Sequence, residues 1–121
     1  MPIQQFYDAG QLLIAEGEVG DRAFEVVSGE VLIFKQGDEK TRVPLRKIQP
    51  GGIFGESFLL AEGKIRSASA LALSRCEVRV YPEHELRQLL LESPPLVRTM
   101  VLTLVDQLRH TTQALVVARM M

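Results

Sequence analysis

Tryptophan is absent from this chain, cysteine occurs once, and aromatic residues make up only 6% of it. A single thiol, Cys76, excludes an internal disulfide and fits a reducing, cytoplasmic setting. Its place in the alternating segment CEVRVY (76–81) makes it a buried structural residue rather than a nucleophile. A marked excess of either sign of charge is lacking too. A net charge of -1 and a pI near 6.1 leave no global electrostatic footprint for DNA or RNA. No apolar run reaches the roughly 18 to 20 residues that span a membrane. The opening MPIQQFYDAG has neither the basic nor the apolar region of a secretory signal. His84 and His110 lie far apart, without cysteines or carboxylates at metal-ligand spacing, so no metal site is predicted. No strand–turn nucleophile signature is present, and EGEVGD (16–21) lacks the spaced ligands and terminal Glu of a calcium loop. Catalysis is not expected.

What remains is an ordinary globular composition, 46% apolar and 24% charged over 121 residues, enough for one domain with one core. The first two-thirds, 1–81, reads as short strands separated by turn residues. Phe24, Val26 and 29–34 supply β-branched and aromatic residues, QGDEK (36–40) is a hairpin tip, and Pro50-Gly51-Gly52 turns the chain. Pro44 lacks an N–H, which puts its strand at an edge or a bulge. Period-two strands return at SASALAL (67–73) and CEVRVY. Many short strands at regular spacing imply a β-sandwich or jelly roll. From Pro82 the period changes. PEHELRQLLLES predicts a short helix ended by Pro94-Pro95, and a second helix runs to the C-terminus. Val97, Val101, Leu104, Leu108, Thr111, Leu115 and Ala118 form a heptad seam on it, apolar except at Thr111. Leu96, Met100, Val105 and Val116 widen the stripe. The seam predicts a homodimer; the wider stripe also permits a helix packed on its own barrel.

The chemistry lies in FGESFLLAEGKIRSAS (54–69). Glu56 and Arg66 sit ten positions apart, with Gly55 before the acid and Ser67, Ala68 and Ser69 after the base. A guanidinium suits phosphate oxygens bidentately, and a carboxylate, acceptor-only, suits sugar hydroxyls. Glycine and small residues let backbone N–H groups close on an anion. A sugar phosphate would satisfy both ends; so would a simple ion pair between neighbouring loops.

The segment resembles the phosphate-binding cassette of cyclic nucleotide-binding domains, the family of catabolite activator protein, protein kinase A regulatory subunits and cyclic nucleotide-gated channels. Gly55, Glu56, Arg66 and Ser67 match position by position. AGQLLIAEGEVGDRAFEVVSGEVLIFK (9–35), with its turns marked by Gly10, Gly17, Gly20 and Gly29, is similar to the family's opening strands. The resemblance implies a β-jelly-roll followed by C-terminal helices, one cyclic nucleotide-binding domain over 1–121, without the helix-turn-helix of the activator branch. It implies a cyclic nucleotide, cAMP or cGMP, as ligand, with Arg66 on the phosphate and Glu56 on the ribose 2′-hydroxyl. Gly55, Ser57 and Ser67 would complete the cradle. Aligned from Pro94, Thr111 and Thr112 fall on the pair that reads adenine from the activator's dimer helix, and Gln107 replaces an arginine there. The output implied is a shift in helix position; the alternative is a dimerisation domain with a ligand-free pocket. Ser57 and Phe58 stand where the family has an apolar residue and then Gly or Ala. A Phe ring turned inward leaves the site open, and one turned into the pocket fills it.

Overall fold

The computed structural model describes residues 3–60 and 62–120; the side chains of 59, 60, 62, 108, 109 and 111–120 lie outside the described residues. Among the described residues, eight strands form two antiparallel sheets. The first is ordered β1 (Ile3–Tyr7), β8 (Cys76–Pro82), β3 (Arg22–Ser28), β6 (Ile53–Phe54). The second is ordered β2 (Leu12–Ile14), β7 (Ser69–Ala72), β4 (Val31–Gln36), β5 (Arg42–Ile48). This is the jelly roll that the resemblance implies, one of the two architectures that short, evenly spaced strands allow. Strand β1 was not among those predicted, because IQQFY offers little apolar alternation. It lies at a sheet edge, paired only with β8, and leaves Ile3 and Phe6 exposed.

The period-two pattern decides what is buried. In β8, Cys76, Val78 and Val80 turn inward while Arg79 faces solvent. They meet Val31, Ile33 and Ala70 of the opposite sheet in one core, where removal of apolar surface from water supplies the main driving force. Phe24 and Phe54 stack within it at 5.1 Å between ring centroids. The Cys76 thiol is fully buried, within 3.3 Å of the Glu30 carbonyl and 3.2 Å of the Ser74 carbonyl. It is the structural thiol expected. Strand β5, with Pro44, is an edge strand, and the register with β4 shifts beside it, between Ile33 and Phe34. Both consequences of the missing N–H are therefore realised. Gly29 turns β3 into β4 at φ +86°, where a Cβ would overlap the Arg75 carbonyl and Cys76.

Strand β8 runs into helix α1 (Glu83–Glu92) with no loop, Pro82 being both the last strand residue and the N-cap. Glu83 and Glu85 in the first turn suit the positive end of the helix dipole, and the Glu83 N–H donates to the Asp21 carbonyl at 2.8 Å. Ser93, extended at φ −76° and ψ 151°, ends the helix before Pro94. Helix α2 (Pro95–Met120) opens on proline at its first position. Neither helix buries a described side chain fully. Leu96, Val97, Met100, Val101 and Leu104 are exposed, while Leu102 and Val105 are half-buried. The described part of the stripe therefore faces solvent more than barrel. The side chains of Leu108, Thr111, Leu115, Val116 and Ala118 of that stripe lie outside the described residues. Among the described residues no helix is long and apolar enough to cross a membrane.

Candidate functional site

The cassette leaves β6 at Gly55, whose φ of +82° suits glycine. It passes through two short 3-10 turns, Ser57–Leu60 and Glu62–Lys64, and enters β7 at Ser69. Gly63 and Lys64 are both left-handed, at φ 66° and 59°. That pair of conformations reverses the chain so that Ile65 and Arg66 run beside the 16–21 loop. Arg66 N–H donates to the Glu18 carbonyl at 2.8 Å, Gly17 N–H to the Arg66 carbonyl at 3.0 Å, and Gly20 N–H to the Lys64 carbonyl at 2.7 Å. Val19 and Ile65 bridge between them. The acidic loop is thus a structural splint for the cassette.

Arg66 is turned inward, 8% exposed. Its Nη1 donates to the Gly55 carbonyl at 2.6 Å and its Nη2 to the Arg22 carbonyl at 2.7 Å. Its guanidinium carbon lies 4.9 Å from the centre of the Phe58 ring, close enough for a cation–π attraction. Two carbonyls engage two of the five N–H groups that a guanidinium carries. No carboxylate among the described residues pairs with it. Asp21, an acid whose field reaches Arg66, is held by Arg22 at 2.8 Å and 3.1 Å. Burial pulls the Arg66 pKa below its ordinary value, the field of Asp21 opposing it. A buried cation with spare donors, and no carboxylate paired to it among the described residues, suits an anion.

Gly55 and Arg66 are therefore brought together directly. Ser57 and Ser67 meet through their hydroxyls at 3.4 Å. Glu56 is half-buried and its field reaches Arg66, yet among the described residues the two form no ion pair, so the bland reading of that spacing is not what the fold adopts. The side chains of Thr111 and Thr112 lie outside the described residues.

Phe58 turns inward, 1% exposed, beneath Arg66 and against Gly20. A Cβ at Gly20 would come within 2.7 Å of the Phe58 Cβ and 2.8 Å of Arg66 Nε. The sequence predicts a turn at Gly20, but its φ is not positive, and glycine is required there for room. Phe58 needs the space that small residues usually hold, and Gly20 supplies it from another segment. Sequence reasoning missed both this pairing and a tie from the cassette to α1. Lys64 Nζ lies 2.8 Å from Glu83 Oε2, which also accepts from Arg87 Nε at 3.0 Å. Lys64 first, then Arg87, holds the Glu83 carboxyl below the usual range.

Residues 4–93 match the family described as cyclic nucleotide-binding domain. The cyclic AMP receptor protein of Thermus thermophilus is 31% identical over 110 residues, covering 88% of this chain and 49% of its own. The cAMP-activated global transcriptional regulator of Pasteurella multocida is 27% identical over 107 residues, covering 88% and 51%. The chain thus spans about half the length of the curated relatives it matches. Among solved structures, the EAL enzyme Bd1971 in its cGMP-bound form superposes with a TM-score of 0.81 at 28% identity, over 93% of this chain and 30% of that one. The catabolite activator protein of Thermus thermophilus gives 0.77 at 27%, over 98% and 55%. On the strength of its cassette, its jelly roll and these matches, the chain belongs to the cyclic nucleotide-binding domain family.

Proposed function

We infer that this domain is a regulatory sensor that binds a cyclic nucleotide, cAMP in preference to cGMP, and passes its occupancy on through α2. The observation that carries this reading is the buried Arg66 guanidinium, which has donors to spare and no counter-ion among the described residues. The exocyclic phosphate oxygens supply the missing charge. Backbone N–H groups at Gly55 and Ser67, with the Ser57 and Ser67 hydroxyls, close the cradle. Glu56, repelled by the phosphate, accepts from the ribose 2′-hydroxyl instead. Thr111 and Thr112 read the adenine edge, since a hydroxyl can both donate to a ring nitrogen and accept from the amino group. Relatives support the ligand class: Bd1971 has been solved in cGMP-bound and cAMP-bound forms. The work of the present domain, in this reading, is binding rather than catalysis.

Calorimetric titration with cAMP and cGMP tests the assignment. Saturable binding of cAMP is expected, and Thr111→Val/Thr112→Val is expected to weaken it and erase most of the preference over cGMP. Each lost hydrogen bond is worth about 0.5 to 1.5 kcal/mol. An unchanged preference in the double variant places base recognition on the barrel.

The second reading, a dimerisation domain with a ligand-free pocket, draws on the two carbonyl bonds that already give Arg66 a structural task. Absence of binding by both nucleotides would favour it. Both readings use the exposed stripe at Val97, Val101 and Leu104 as the start of a parallel homodimer seam. Sedimentation of Leu104→Asp/Leu108→Asp is expected to give a monomer with an intact β-roll, because unpaired carboxylates in an apolar seam cost several kcal/mol. A parent that is monomeric at high micromolar concentration removes the seam.

A further inference from the structure

A groove of about 190 Å³ lies between α1 and α2. Its walls are aliphatic: Leu86, Leu89 and Leu90 from one helix, Val101, Leu102 and Val105 from the other. Leu89 and Val101 are 51% and 39% exposed, so its mouth is open to solvent. An aliphatic cavity of about 150 Å³ is enough to accommodate a benzene ring. Among the described residues, the polar side chains that line it are Glu56 and Ser93. The Glu56 carboxylate has no hydrogen-bond or ion-pair partner among the described residues, and a carboxylate can only accept. Ser93 Oγ donates its one hydrogen to the Leu89 carbonyl at 2.9 Å, leaving its lone pairs as acceptors. The described polar side chains of the groove therefore offer acceptors and negative charge, with no donor to spare among them.

We propose that this groove is a binding site for a small hydrophobic ammonium, an apolar ring or short chain seated among the leucines and valines with its N–H donors directed to Glu56 and Ser93. Charge complementarity fixes the class. An anion would be repelled by Glu56, and a neutral hydrocarbon would leave that carboxylate half-buried and unpaired. Because Glu56 also borders the cassette, an occupant here would compete for the carboxylate that a ribose uses. That consequence rests on the nucleotide reading; binding in the groove does not.

The test is a methyl-resolved NMR titration of the nucleotide-free protein at pH 7 with benzylammonium chloride, benzyl alcohol and sodium benzoate. Benzylammonium is expected to give saturable shifts confined to the Leu and Val methyls of α1 and α2, with a Kd on the order of 1 mM, as suits so few atoms. Benzyl alcohol is expected to bind about tenfold more weakly, and benzoate not at all. The isosteric Glu56→Gln should bring benzylammonium down to the level of the alcohol. Equal affinity for amine and alcohol in the parent, full binding by Glu56→Gln, or no saturable shift would each overturn the proposal. With no nucleotide present, none of these outcomes depends on the cyclic nucleotide assignment.

Discussion

Replacing Arg66 with alanine is expected to weaken cAMP binding by roughly a hundredfold, a loss of about 3 kcal/mol or more from a charge-assisted bidentate contact. Arg66 has a structural task besides the pocket. Arg66 joins the Gly55 and Arg22 carbonyls across the base of the cassette, and its loss leaves both acceptors without that donor in a partly buried place. Hydrogen bonds from charged donors contribute about 1.5 to 3 kcal/mol each. Relief of the buried charge offsets part of this, so a net destabilisation on the order of 2 kcal/mol is expected. Calorimetry and urea denaturation on the same preparation separate the two effects. Arg66→Lys retains the charge but not the fork, and should recover little of either. Parent-like affinity in Arg66→Ala would move the anion site elsewhere in the domain.

Phe58→Ala is expected to be the costlier change for stability, at about 3 to 5 kcal/mol, the range for emptying a buried aromatic site. The ring fills the space over Gly20 and carries the Arg66 guanidinium on its face. Its loss should therefore also weaken cAMP binding, through a guanidinium no longer held in position. Phe58→Leu keeps most of the volume without the π face, and should recover stability more fully than affinity. A chemical denaturation midpoint in Phe58→Ala close to that of the parent would show that the ring is not packed as described.

Strand β8 was readable because Cys76, Val78 and Val80 alternate with polar residues and need no knowledge of any partner strand. Pro44 announced its edge position through a missing donor, and Pro82, Pro94 and Pro95 marked the helix boundaries through their restricted backbones. Gly55 and Arg66 were readable as a pair because the motif puts both in one segment. The direction of Phe58 was not, since it is decided by Gly20, which lies 38 positions away in sequence. No local periodicity encodes that approach. The same holds for the Arg22 carbonyl and for Lys64 with Glu83. Each joins segments through a backbone group or a surface charge, and such groups leave no hydrophobic pattern.

The loopless passage from β8 to α1 has a mechanical consequence. Pro82 fixes the joint with a φ that its ring scarcely allows to change. The next residue, Glu83, is clamped twice, by its amide to Asp21 and by its carboxylate to Lys64. Helix α1 is thus a cantilever built into the wall of the roll, and it offers no pivot at its root. The chain next leaves helical geometry at Ser93 and Pro94. Any swing of α2 against the roll must turn on that two-residue fulcrum, some ten residues out along α1 from the sheet. A displacement of the cassette that reaches Glu83 through Lys64 would load the cantilever at its fixed end. The resulting motion would be delivered at the far one, where the longer arm begins.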